Sequence, residues 1–182
     1  GVYPSTLNEE IANKIGKALV SFLQCKKLVV GADMRVSAPA LSASFVNGVL
    51  EMGCSVVSIG QVSTDSLYFA SGFLKLPGVM FTASHNPPEY NGLKFCKSMA
   101  VPLNYDNGLK TVREIIENDW VIEDHDIQQP VSVKKFVNAV SDTKIRGGVF
   151  SFLTNIASSS SAGIRYKALI PPPSACRTVH VV

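Results

Sequence analysis

Residues 82–94 concentrate the chemistry of this chain: Thr82-Ala83-Ser84-His85-Asn86-Pro87-Pro88-Glu89-Tyr90-Asn91-Gly92-Leu93-Lys94. Ser84 follows an apolar run, Val79-Met80-Phe81, that reads as a strand. Pro87 and Pro88 stiffen the segment behind it. A hydroxyl leaving a strand end on a stiff loop is exposed and preorganised, which suits a nucleophile or a phosphoryl carrier. His85 and Lys94 lie close in sequence as donors, acids or bases. Asn91-Gly92 is the strongest short turn signal in the chain. Such a turn returns Lys94 beside the strand that delivers Ser84. No G-x-G-x-x-G follows the first strand and no G-x-x-x-x-G-K-[ST] occurs, so dinucleotide and P-loop readings lose their best signals.

The elements that must position this loop are legible upstream. Thr6-Leu7-Asn8-Glu9 reads as a capping box. Leu7, Ile11, Ile15, Leu19 and Phe22 then recur at helical spacing. Leu28-Val29-Val30 predicts a buried first strand. Ser37 is placed to cap a second helix with Pro39 in its first turn, and Gly53 ends it. Val56-Val57-Ser58-Ile59 predicts strand two, and Ser63 or Thr64 caps a third helix. Leu93-Lys94-Phe95 predicts strand four. Helices are expected at about 107–117 and 131–140. Strand, helix, strand, helix, strand is the grammar of a parallel α/β sheet. Strand four follows strand three without a crossover, so it is expected as an antiparallel edge. The fold class is therefore three-layer α/β/α with a mixed four-stranded sheet. Ligands of open α/β sheets sit beyond the carboxyl ends of the strands. That edge carries loops 31–37, 60–64 and 82–92.

Residues 82–94 closely resemble the phosphoserine loop of the alpha-D-phosphohexomutases, the phosphomannomutase and phosphoglucomutase group. Tyr3-Pro4 with Leu7-Asn8-Glu9-Glu10 resembles the start of that family's first domain. Val30-Gly31-Ala32-Asp33-Met34-Arg35-Val36-Ser37 is similar to its first strand and loop, and Gly60-Gln61-Val62-Ser63-Thr64 to its second strand-end loop. The resemblance covers roughly residues 1–146 and implies a reaction. Hexose 1-phosphates and 6-phosphates are interconverted through a phosphoserine and a bisphosphorylated sugar. By this resemblance Ser84 is the phosphoryl carrier and, through its phosphate, one oxygen ligand of Mg²⁺. Lys94 is an acid/base aid or charge stabiliser, His85 orients the loop or the substrate, and Arg35 contributes positive charge toward the substrate. Phosphoryl transfer is largely positioning plus neutralisation of charge, which fits these residue types.

The resemblance also implies missing parts. A full family member carries further domains, and its second domain supplies an Asp-Gly-Asp-Gly-Asp loop for Mg²⁺ that has no counterpart here. The expected organisation is a phosphoserine-bearing first domain at 1–130, the start of a second domain at 131–146, and a non-matching tail at 147–182. All fourteen acidic residues lie within 1–142, and the tail has none. A frameshift, a truncated gene or a fragment would each account for that break. The isolated chain is expected to be an incomplete, inactive fragment that self-associates through a surface the absent domains would cover. The alternative is a solitary, non-catalytic module that binds a phosphosugar or a protein.

Composition narrows the partners. The 182 residues are 46% hydrophobic and 17% charged, which excludes a disordered chain. A net charge of +3 with scattered Lys and Arg speaks against nucleic acid. The longest uncharged stretch, 147–164, is rich in Ser, Thr, Asn and Gly, which argues against a membrane span. The four cysteines show no zinc spacing or disulfide framework, so reduced thiols in a cytoplasm are expected.

Overall fold

The computed structural model describes residues 1–119 and 132–135. Helix α1 (Glu9–Leu23) leads to strand β1 (Lys27–Ala32), then α2 (Ala38–Glu51), β2 (Ser55–Gln61), α3 (Thr64–Leu74) and β3 (Gly78–Phe81). After the chemically rich loop come β4 (Leu93–Lys97), β5 (Val101–Leu103), α4 (Lys110–Glu117) and β6 (Val133–Lys135). The sheet order is β5-β4-β3-β1-β2-β6. β1 pairs in parallel with β2 and β3, and β4 runs antiparallel to β3.

The mixed sheet and its covering helices match the expected class, but among the described residues the sheet has six strands rather than four. β5 folds back on β4 after a tight turn at Met99 and Ala100, both with positive φ. β6 lies parallel to β2, where a helix over 131–140 was expected. Val133 and its neighbours satisfy the open edge of β2, so the pairing groups of that edge override the local helical spacing. The rest of that expected helix, and the tail at 147–182, lie outside the described residues, as does most of the expected second-domain start.

Side chains alternate between the faces of β1. Leu28 and Val30 enter the larger core with Leu19, Leu41, Phe45, Val56, Val79 and Phe81. Val29 enters a smaller one with Val57, Met80, Cys96 and, from α3, Leu67 and Ala70. Helices α1, α2 and α4 thus cover one face and α3 the other. α1 and α2 cross so closely that a Cβ on Gly48 would lie 2.3 Å from the Asn13 carbonyl oxygen. A Cβ on Gly16 would lie 2.5 Å from that of Phe45.

Two caps differ from expectation. α1 starts on Asn8, whose side chain accepts from the Ile11 N–H at 3.0 Å. The Thr6 hydroxyl instead accepts from the Val2 N–H at 2.7 Å, and Glu9 accepts from the Tyr3 hydroxyl at 2.6 Å. The predicted capping box is therefore divided between two local partners. Ser37 occupies the N-cap position of α2 but makes no capping bond. Its hydroxyl accepts from Asn91 Nδ2 at 2.9 Å, which ties the β1–α2 loop to the far end of the 82–92 loop.

Candidate functional site

The carboxyl ends of β1 and β3 lie side by side, since Ala32 pairs with Phe81. This adjacency brings loop 31–37 against loop 82–92. The Asp33 N–H donates to the Phe81 carbonyl at 2.9 Å. Asp33 Oδ1 then accepts from the Arg35 N–H at 3.0 Å, a local turn that aims the Arg35 side chain across the loop.

The Arg35 guanidinium sits beneath the serine loop. Nη1 donates to the carbonyls of Pro87 and Tyr90 at 2.7 and 2.8 Å. Nη2 donates to those of Ser84 and Asn86 at 2.9 and 2.8 Å. Nε donates to Asp33 Oδ2 at 3.2 Å. A guanidinium has five N–H groups, and here all five have partners. Four loop carbonyls are thereby drawn to one cation.

Ser84 takes a left-handed conformation, φ 53°. For a residue with a Cβ this costs about 1 kcal/mol or more, so its surroundings must enforce it. The Ser84 N–H donates to Thr82 Oγ1 at 3.0 Å while its carbonyl is held by Arg35. Thr82 is itself anchored, its N–H donating to the Gly92 carbonyl at 2.9 Å. The outcome is an exposed hydroxyl on a backbone pinned from both sides. Ser84 Oγ lies 3.1 Å from His85 Nδ1, and the imidazole tautomer decides which of them donates.

Asn91-Gly92 does not form the expected two-residue turn. Neither residue has the positive φ that such a turn needs. The β3–β4 link is the whole of 82–92, and Asn91 is its buried anchor. The Asn91 N–H donates to the Gly1 carbonyl at 2.9 Å, and its carbonyl accepts from Gly1 N at 2.8 Å. Tyr3 N–H reaches the Glu89 carbonyl at 2.8 Å, so the first residues add a short bridge along the loop. Gly92 also permits a close approach, because a Cβ there would lie 3.1 Å from the Thr82 carbonyl oxygen, a tight contact.

Lys94 returns beside β3 as expected, opposite Met80 in the antiparallel ladder. Its side chain is exposed, on the sheet face that α3 covers. Loop 60–64 is tied to the same edge, the Val62 N–H donating to the Ala32 carbonyl at 2.9 Å. Sequence reasoning missed Thr82 and Asn91 as loop-positioning residues. Thr82 had a local signal, a hydroxyl two residues before the N–H it accepts from. The Asn91–Ser37 bond spans 54 positions and has none. Among the described residues no group of three or more His, Cys, Asp and Glu could hold a metal ion.

The profile described as "Phosphoglucomutase/phosphomannomutase, alpha/beta/alpha domain I" matches residues 1–120. The chain belongs to the phosphoglucomutase/phosphomannomutase family. A phosphohexose mutase of Xanthomonas campestris pv. campestris is 40% identical over 120 residues, covering 65% of this chain and 27% of that protein. A phosphomannomutase of Klebsiella pneumoniae is 39% identical over 114 residues, covering 62% of this chain and 73% of that protein. The crystal structure of a phosphoglucomutase/phosphomannomutase family protein from Burkholderia thailandensis superposes with a TM-score of 0.61 at 28% identity. That match covers 74% of this chain and 30% of the Burkholderia chain. This family member thus spans little more than a quarter of the Xanthomonas relative's length. No helix among its described residues is long and apolar enough to cross a membrane.

Proposed function

We propose that this chain carries the phosphoserine domain of a cytoplasmic phosphohexomutase of the phosphomannomutase/phosphoglucomutase type, with Ser84 as the phosphoryl carrier. The observation that supports it most is the enforced left-handed conformation of Ser84, held by Thr82 and Arg35 with its hydroxyl in solvent. Backbone strain of this kind persists only when the surroundings enforce it, and it clusters at sites that present a reacting group.

In the proposed half-reaction, Ser84 Oγ attacks a phosphorus of a hexose bisphosphate. The Oγ–P bond forms, the sugar O–P bond breaks, and the sugar oxygen leaves and takes up a proton, so that the net step moves the Ser84 proton to the sugar hydroxyl. His85 Nδ1, 3.1 Å from Oγ, accepts the hydroxyl proton. Lys94 stabilises charge at the same edge. Arg35 acts as a positioning residue rather than a direct substrate ligand, because its five N–H donors are already engaged by the loop and Asp33. Mg²⁺ would neutralise phosphate charge. A phosphorylated Ser84 would offer it oxygen ligands, and because the described residues hold no group of three or more His, Cys, Asp and Glu that could complete a site, further carboxylate ligands would come from outside them.

The test is incubation of the chain with glucose 1,6-bisphosphate, then intact mass and phosphopeptide mapping. One phosphoryl group on Ser84, lost in Ser84→Ala, is expected. Phosphate on another residue in place of Ser84 refutes the proposal. Bisphosphate binding that survives Ser84→Ala without phosphorylation marks a non-catalytic module. We further propose that the isolated chain self-associates. The exposed rings of Phe69 and Phe73, stacked at 5.9 Å on α3, support this, and sedimentation velocity reads it directly.

A further inference from the structure

Cys25 and Cys54 meet at the end of the sheet opposite Ser84. Cys25 follows the left-handed cap of α1 at Gln24, and Cys54 follows Gly53 after α2. The strands they lead into are locked in parallel register, Lys27 opposite Ser55. The Ser55 N–H donates to the Lys26 carbonyl at 3.0 Å, which fixes the two approaches side by side. The two sulfurs lie 3.7 Å apart. Cys54 is fully buried, whereas Cys25 is partly exposed.

We propose that Cys25 and Cys54 form a redox pair, closed to a disulfide by a low-molecular-weight disulfide and reopened by thiols. The Cys25 thiolate attacks one sulfur of the reagent, forming a mixed disulfide and expelling one thiolate. Cys54 sulfur then attacks the Cys25 sulfur and gives up its proton, and the second reagent thiol leaves. Two protein thiols are oxidised and one reagent disulfide is reduced to two thiols. Access orders the steps, because only Cys25 is open to a reagent and Cys54 resolves from within. The hydrogen bond from Cys54 also holds the Cys25 thiol below its usual titration range, while the same contact and burial push Cys54 up. The pair lies at the amino ends of β1 and β2, so its closure leaves the Ser84 loop in place.

The full chain is treated with oxidised glutathione, quenched by alkylation, and mapped without reduction. The expected product is a cross-linked Cys25–Cys54 peptide, formed independently of protein concentration, with the mass lower by about 2 Da. Thermal unfolding should shift upward and return on addition of reductant, because the bridge restricts the unfolded chain. Cys54→Ala should trap glutathione on Cys25, and Cys25→Ala should leave Cys54 unmodified in the folded protein. Three results overturn the proposal: a stable mixed disulfide in the wild-type chain, a cross-link to Cys96 or Cys176 in its place, or two thiols that remain alkylatable. The wild-type map decides even where a variant fails to fold.

Discussion

Arg35→Ala removes the cation to which four loop carbonyls converge. The Arg35 side chain is only 10% exposed, so these bonds form in a partly dried setting. Each hydrogen bond contributes about 0.5–1.5 kcal/mol net. The freed carbonyls can reach water, which favours the low end. Four bonds at the low end, with some loss of the Asp33 pair, give about 3 kcal/mol on loop closure. At 1.4 kcal/mol per factor of ten, that is about a hundredfold in the opening equilibrium. The amides to read are those closed within the loop, Asn86 N–H to Ala83 and Tyr90 N–H to Pro87. Their hydrogen exchange should accelerate about a hundredfold, while that of Val29 in β1 stays near wild type. Arg35→Lys should fall between, since an ammonium cannot fork to four fixed carbonyls. Ser84 phosphorylation should decline with loop order. Unchanged exchange at Asn86 and Tyr90 in Arg35→Ala would refute the clamp and the enforced serine geometry that rests on it.

Three further outcomes are expected. Gly48→Ala should destabilise the fold by about 2–3 kcal/mol in urea denaturation, because the new methyl would meet the Asn13 carbonyl at the α1–α2 crossing; a neutral result would mean that the helices part freely. Phe45→Ala should cost about 3–5 kcal/mol by the same assay, since the ring is fully buried and meets Phe81 edge-on at 5.5 Å. The Tyr3 hydrogen bond holds the Glu9 carboxyl below its ordinary 4.5, so the stability it adds is present above that value and is lost as pH falls through the lowered one. The same bond raises Tyr3 above 10.0, so that contribution is present below 10.0 and is lost as pH rises through the raised value. Tyr3→Phe should therefore lower the melting temperature across the neutral range and converge with wild type at acid pH, whereas a pH-independent difference would exclude this pair as the cause.

The sequence by itself determined the parts that depend on near neighbours. Helical spacing in α1, the apolar runs of β1, β2 and β3, and the crossover order required a layered α/β sheet before any contact was known. The serine loop was equally legible, because an apolar strand run, Ser84, and two prolines sit within a few residues. Tertiary structure decided what depends on pairs distant in the chain. Asn91-Gly92 carries a strong turn signal, yet Asn91 is recruited by Ser37 and Gly1, and those long-range bonds outweigh the local preference. Val133–Lys135 becomes a strand because β2 has an open edge, which no window on that segment contains. Arg35 reads in sequence as positive charge directed toward the substrate, and only the adjacency of the β1 and β3 ends turns it into the clamp beneath Ser84. A residue's type limits the bonds it can make, but the approach of distant backbone decides which of them form.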